Sequence, residues 1–129
     1  MRRNRRQYLR VREHARALVH ERIRHFNDVY GFKIGKVFIK NHKSRWGSCS
    51  SKGNINFNYK IVFLPADIAD YIIVHELCHL AELNHGERFW GLVVSTIPDH
   101  KHRRQRLRLI ERARLVRYVT SQKPRFVAV

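Results

Sequence analysis

At 129 residues the chain has the length of one small domain with a single core, and its hydrophobic fraction of 43% fits a globular protein. It has no apolar run of about 18 residues, which excludes a membrane-spanning helix of ordinary length. The formal net charge of +17, from 27 Lys and Arg against 10 acidic residues, bears on partners rather than on fold.

Taken in chain order, the basic start Met1-Arg2-Arg3-Asn4-Arg5-Arg6 is followed by no apolar core of a secretory signal, so a cytoplasmic location is expected. In residues 8–30 Val11, Ala15, Leu18, Val19, Ile23, Phe26 and Tyr30 keep three-to-four spacing, predicting a helix that Gly31 ends. Residues 33–40 predict a strand with Val37 and Ile39 on one face and Phe38 on the other. Residues 44–50 predict a second strand and residues 55–64 a third, bent one. Ser51-Lys52-Gly53-Asn54 forms the turn between them. Pro65 opens a further helix whose apolar positions Ala66, Ile68, Ala69, Ile72 and Ile73 suggest an amphipathic element ending near Asn84-His85-Gly86. Residues 87–97 predict a short helix closed by Pro98, and Asp99 caps a last helix running to about Tyr118. The expected fold class is α+β: an N-terminal helix, a small antiparallel sheet and three further helices, in one domain over residues 1–120 with a loose tail over 121–129.

The chemistry concentrates in His75-Glu76-Leu77-Cys78-His79. Four residues bring a helical side chain back to nearly the same face, so His75 and His79 can share one metal ion with Glu76 beside them. This is the HExxH arrangement of zinc hydrolases: two imidazoles and a third protein ligand hold one Zn²⁺, and the glutamate takes the proton of an activated water. Two residues compete for the third ligand position. Glu82 lies three residues past His79. His85 lies ten residues after His75, beyond the expected turn, where tetrahedral geometry is easier to complete, and it is the favoured ligand. Cys49 and Cys78 are expected to be free thiols, with Cys78 a packing residue rather than a ligand.

Three further segments accompany the motif: Ser44-Arg45-Trp46-Gly47-Ser48-Cys49, Asn56-Phe57-Asn58 and His85-Gly86-Glu87-Arg88-Phe89-Trp90. With these in this order, the chain resembles the YgjP-like metallopeptidase-domain family, which is grouped with the WLM and SprT-like zinc peptidases. The resemblance spans residues 10–108. It implies a minimal zincin-like fold, His75, His79 and His85 as zinc ligands and Glu76 as catalytic base. It also implies that residues 45–48 lie near the active site and that Phe89 and Trp90 pack beneath the third ligand. Members usually carry a β-rich region ahead of the first helix. Zinc peptidases of this architecture lay an extended substrate along an edge strand, which would bring Arg45, Trp46 and Ser48 close to it. Arg45, Trp46, Ser48 and Asn58 are accordingly the candidate substrate-binding residues, each with a competing structural role: surface ion pair, core packing or turn.

The expected function is zinc-dependent hydrolysis of peptide bonds. An alternative is metal-dependent hydrolysis of nucleoside triphosphates, which the positive charge and Arg45 suit. The basic segments, residues 2–24 and 101–117, read either as docking faces for nucleic acid, nucleotide or an acidic substrate, or as solvated helix faces. No recognised nucleic-acid-binding motif accompanies them.

Overall fold

The structure, a computed structural model, describes residues 2–121, with the side chains of residues 5–113. Helix α1, Arg2–Tyr30, buries Ala15, Val19, Ile23 and Phe26 at the predicted spacing. It begins earlier than its apolar stripe. Gln7 accepts from the Tyr59 hydroxyl at 2.9 Å and Tyr8 donates to the Ile39 carbonyl at 3.4 Å, tying the polar first turns to the rest of the fold. Gly31, at φ 67°, terminates the helix in the left-handed region, its N–H bonded to the Asn27 carbonyl.

Three short strands follow: β1, Val37–Lys40; β2, Gly47–Cys49; and β3, Ile55–Asn58. Their spatial order is β1-β3-β2, and the sheet is mixed rather than wholly antiparallel. The predicted turn does join β2 and β3 as an antiparallel pair, Cys49 opposite Ile55 and Gly47 opposite Phe57. Strand β1 instead lies parallel to β3, Val37 opposite Ile55 and Lys40 opposite Asn58. Residues 41–46 carry no hairpin signal. They run past the end of β3, where the Asn58 side-chain amide donates to the carbonyls of His42 and Arg45 at 2.8 and 3.0 Å.

The third strand stops at Asn58, short of its predicted end. The Asn58 carboxamide oxygen accepts from the Lys60 N–H at 3.0 Å and caps a 3₁₀ turn, Tyr59–Phe63. Ile55, Phe57, Tyr59 and Ile61 are all buried, so the alternation that suggested a longer strand reports burial through a change of backbone conformation.

Helix α2, Ala66–Cys78, is buried at every position from Tyr71 through Cys78, and is therefore a central rather than an amphipathic helix. It packs on α1, on β2, and on two later helices: α3, Glu87–Thr96, and α4, His100–Ser121. Polar clamps fix these contacts. Arg22 of α1 grips Asp70 bidentately at 2.8 and 2.9 Å, and Arg106 of α4 holds Asp67. The Tyr30 hydroxyl donates to the Leu92 carbonyl at 2.6 Å, joining α1 to α3. Helix α4 runs past the predicted Tyr118. Of the expected tail, residues 122–129 lie outside the described residues.

Candidate metal centre

Helix α2 ends at Cys78, earlier than the Asn84-His85-Gly86 signal suggested, with His79 as its C-cap at φ −66° and ψ −18°. The chain then turns without glycine. The N–H groups of Ala81 and Glu82 both bond the Cys78 carbonyl, and the Glu82 carbonyl lies 2.9 Å from Nδ1 of His79. That last contact assigns the proton to Nδ1 and leaves Nε2 of His79 as a lone-pair donor. It also returns residue 85 toward the helix, where Nε2 of His85 lies 2.8 Å from Nε2 of His79.

Among the described residues, His75, His79 and His85 form a group whose ligand atoms all lie within 4.8 Å of one another. Glu82 stands outside it, its carboxylate partly exposed and 3.9 Å from Arg88. Phe89, fully buried, supports all three imidazoles with ring centroids 4.4–5.0 Å away, and Trp90 stacks on His85 at 6.0 Å. Both aromatics therefore lie against the His85 ring, as the resemblance implied.

His75, Glu76 and His79 are buried, and His85 is exposed at the mouth of the group. Burial holds His79 below the ordinary histidine range, against the opposing bond to Glu82. Burial also lowers His85, with further depression from His75 and His79. Neutral imidazole is the form that binds a metal. Glu76 Oε2 lies 3.4 Å from His75 Nδ1, and Glu76 Oε1 is buried without a hydrogen-bond partner. Three convergent nitrogen donors beside a buried carboxylate fit a borderline-soft divalent cation with one open position.

Strand β2 reaches this group through Gly47. A Cβ at Gly47 would stand 2.9 Å from Glu76 Cγ and 3.1 Å from the Asn56 carbonyl oxygen, so only glycine lets the strand lie against Glu76. The sequence flagged the Arg45-Trp46-Gly47-Ser48 segment but not this reason for its glycine. A glycine inside a predicted strand is the signal that could have shown it.

The expected substrate-binding residues divide. Arg45 is exposed just ahead of β2, and Ser48, half-buried on β2, accepts from the Asn56 amide at 3.2 Å. Trp46 lies in the core, the competing role the sequence offered: it is fully buried, and its indole N–H donates to Glu111 at 2.9 Å. Asn58 is fully buried likewise, its side chain bonded to His42, Arg45 and Lys60. Glu111 was missed, although it is the one acid in the sequence of α4. Both cysteines are free thiols pushed up to about 11, chiefly by burial, with the Glu76 charge adding to the effect at Cys49. Neither is a ready thiolate ligand.

Four helices around a small sheet, with three histidines gathered at the end of the central helix, define the fold of a minimal metallopeptidase domain. The chain belongs to the YgjP-like metallopeptidase-domain family, whose profile matches residues 2–109. It is similar to the metallopeptidase zymogen of Pyrococcus abyssi abylysin, with 28% identity and a TM-score of 0.63 over 69% of this chain and 90% of that one. It shares the fold of the metallopeptidase zymogen of Methanocaldococcus jannaschii jannalysin, with 24% identity and a TM-score of 0.57 over 77% of this chain and 96% of that one. No curated protein matches the chain by sequence.

Proposed function

We propose that this chain is a zinc-dependent peptidase in which His75, His79 and His85 hold the metal and Glu76 is the general base. The observation that carries this reading is the convergence of three imidazoles within 4.8 Å at the end of a buried helix that also carries Glu76. A bound zinc ion supplies a Lewis acid that polarises a carbonyl and acidifies water. The chain's own residues do the rest. Glu76 accepts the proton of the attacking water on a carboxylate oxygen and delivers it to the leaving amine. Gly47 lets the strand approach, and the Glu82 carbonyl orients His79.

Strand β2 is an edge of the sheet beside Glu76, so its outer backbone groups support main-chain pairing with an extended peptide or protein substrate. Arg45 and Ser48 are the side chains that would meet such a substrate, while Trp46 and Asn58 hold the strand from behind. A cytoplasmic location belongs to this reading. Among the described residues, no helix is long and apolar enough to cross a membrane.

The net charge of +17 favours a second reading, hydrolysis of nucleoside triphosphates, or docking of the peptidase on nucleic acid. One experiment separates these. Fluorogenic peptides and a nucleoside triphosphate panel are incubated with the protein before chelation, after chelation, and after zinc is returned. The peptidase reading predicts peptide cleavage that chelation abolishes and zinc restores, with no phosphate or pyrophosphate release. Release without peptide cleavage would move the protein to the second reading.

A further inference from the structure

A groove of about 550 Å³ lies between α3 and α4. Helix α3 lines it with Trp90, Gly91 and Val94, residues on one helical face. The first turns of α4 supply His100, Lys101 and Arg104. The result is an apolar wall under a cationic rim. Val94 is 43% exposed, and a Cβ added at Gly91 would meet nothing within 4 Å, so the groove is open at that point. One acid, Glu87, also lines it, about two helical turns before Val94.

The groove adjoins the candidate metal centre through a single ring. Trp90 stacks on His85 at 6.0 Å and on His100 at 5.0 Å. The guanidinium of Arg104 lies 5.9 Å from the same indole. Two nearby acids are engaged elsewhere: Asp99 pairs with Arg103 at 3.0 Å, and Asp67 pairs with Arg106, which leaves Glu87 as the acid of the groove wall. Among the described residues, neither Lys101 nor Arg104 has an ion-pair partner. Arg104 Nε and His100 Nδ1 are buried without hydrogen-bond partners, and His100 itself is only 9% exposed. Like charges crowded on one helix turn repel, and an anion seated between them would relieve that cost.

We propose that this groove is a substrate subsite for a glutamate side chain of the bound peptide, its methylenes on Trp90 and Val94 and its carboxylate on Lys101 and Arg104. The proposal rests on the peptidase reading.

The test uses the Glu76→Gln protein, whose slowed turnover lets peptide binding be measured. Fluorescent peptides carrying a single Glu at each successive position are titrated by anisotropy against partners with Gln there. At one position Glu should tighten binding about tenfold, the scale of a charge-assisted contact. Lys101→Glu should remove most of that preference. Gly91→Leu, which fills the groove and replaces a helical glycine, should abolish it while folding and metal content stay unchanged. Equal binding of Glu and Gln peptides at every position would overturn the proposal, as would a preference that survives both substitutions. Displacement of the peptide by a single-stranded oligonucleotide at lower concentration than by the free Glu peptide would assign the groove to nucleic acid and overturn it too. The wild-type protein is then assayed for cleavage of the best peptide. Cleavage without Glu preference defeats the subsite alone, whereas Glu-specific binding without cleavage defeats the peptidase reading alone.

Discussion

Gly47 and Glu76 are in contact at a distance that no larger residue could keep: a Cβ at position 47 would lie 2.9 Å from Glu76 Cγ and 3.2 Å from its Oε2. The strand beside the candidate site is therefore set by the absence of a side chain. Gly47→Ala should push Glu76 or the strand aside, at an overpacking cost of about 1–3 kcal/mol. Displacing a catalytic group by about 1 Å can cost on the order of a hundredfold in rate. Peptide cleavage should fall on that scale while bound metal, measured by elemental analysis, stays at the wild-type level. Unchanged cleavage would show that Glu76 tolerates the shift.

The ligand assignment is tested by stoichiometry. His79→Ala and His85→Ala should each lose most of the bound zinc, because each removes one of the three nitrogen donors. Glu82→Ala should retain it, since only the Glu82 backbone carbonyl is used. Chelation should lower the thermal midpoint of the wild type, because metal that binds only the folded chain stabilises it by mass action. The reverse pattern, zinc kept in His85→Ala and lost in Glu82→Ala, would exchange the two residues.

Much of this arrangement is legible in the sequence, and the unread parts share a cause. The α1 stripe and the His75–His79 spacing are local periodicities, and local periodicity survives folding unchanged. The parallel pairing of β1 with β3 is not local. It depends on Asn58 holding residues 42 and 45 from the far end of another strand. The apolar spacing of residues 66–73 suggests an amphipathic α2, yet the polar His75 and Glu76 are each 2% exposed. Trp46 looked available for substrate because its partner, Glu111, lies 65 residues away.

That Trp46–Glu111 bond joins α4 to the chain just before β2, and it is buried. A buried hydrogen bond to a charged group contributes about 1.5–3 kcal/mol. Glu111→Ala should lower unfolding stability by an amount in that range, and Glu111→Gln by less, because it keeps an acceptor. Denaturant titration of the two variants checks this. Equal losses would show that the carboxylate's charge, not its acceptor, matters.

The Asp67–Arg106 pair gives a pH signature. The hydrogen bond from Arg106 holds the Asp67 carboxyl below its ordinary range, against a smaller opposing effect of burial. A depressed folded-state pKa stabilises the fold above the unfolded value of about 4, and the gain disappears as pH falls through the folded value. The Arg106 and Asp67 side chains are 35% and 40% exposed, so solvent screens the pair and the effect is small. Asp67→Asn should lower the thermal midpoint slightly at neutral pH, less at high salt, and by nothing once Asp67 itself is protonated. A deficit that persists into acid would point to lost packing instead.

The central claim is that Glu76 activates water at a metal held by three histidines. It is tested most directly by comparing wild type with Glu76→Gln for both metal content and peptide cleavage. The account predicts one zinc per chain in each protein, with cleavage falling by about 10²–10⁴-fold in the variant, the usual contribution of a general base. Cleavage by Glu76→Gln at the wild-type rate, with zinc bound, would contradict it.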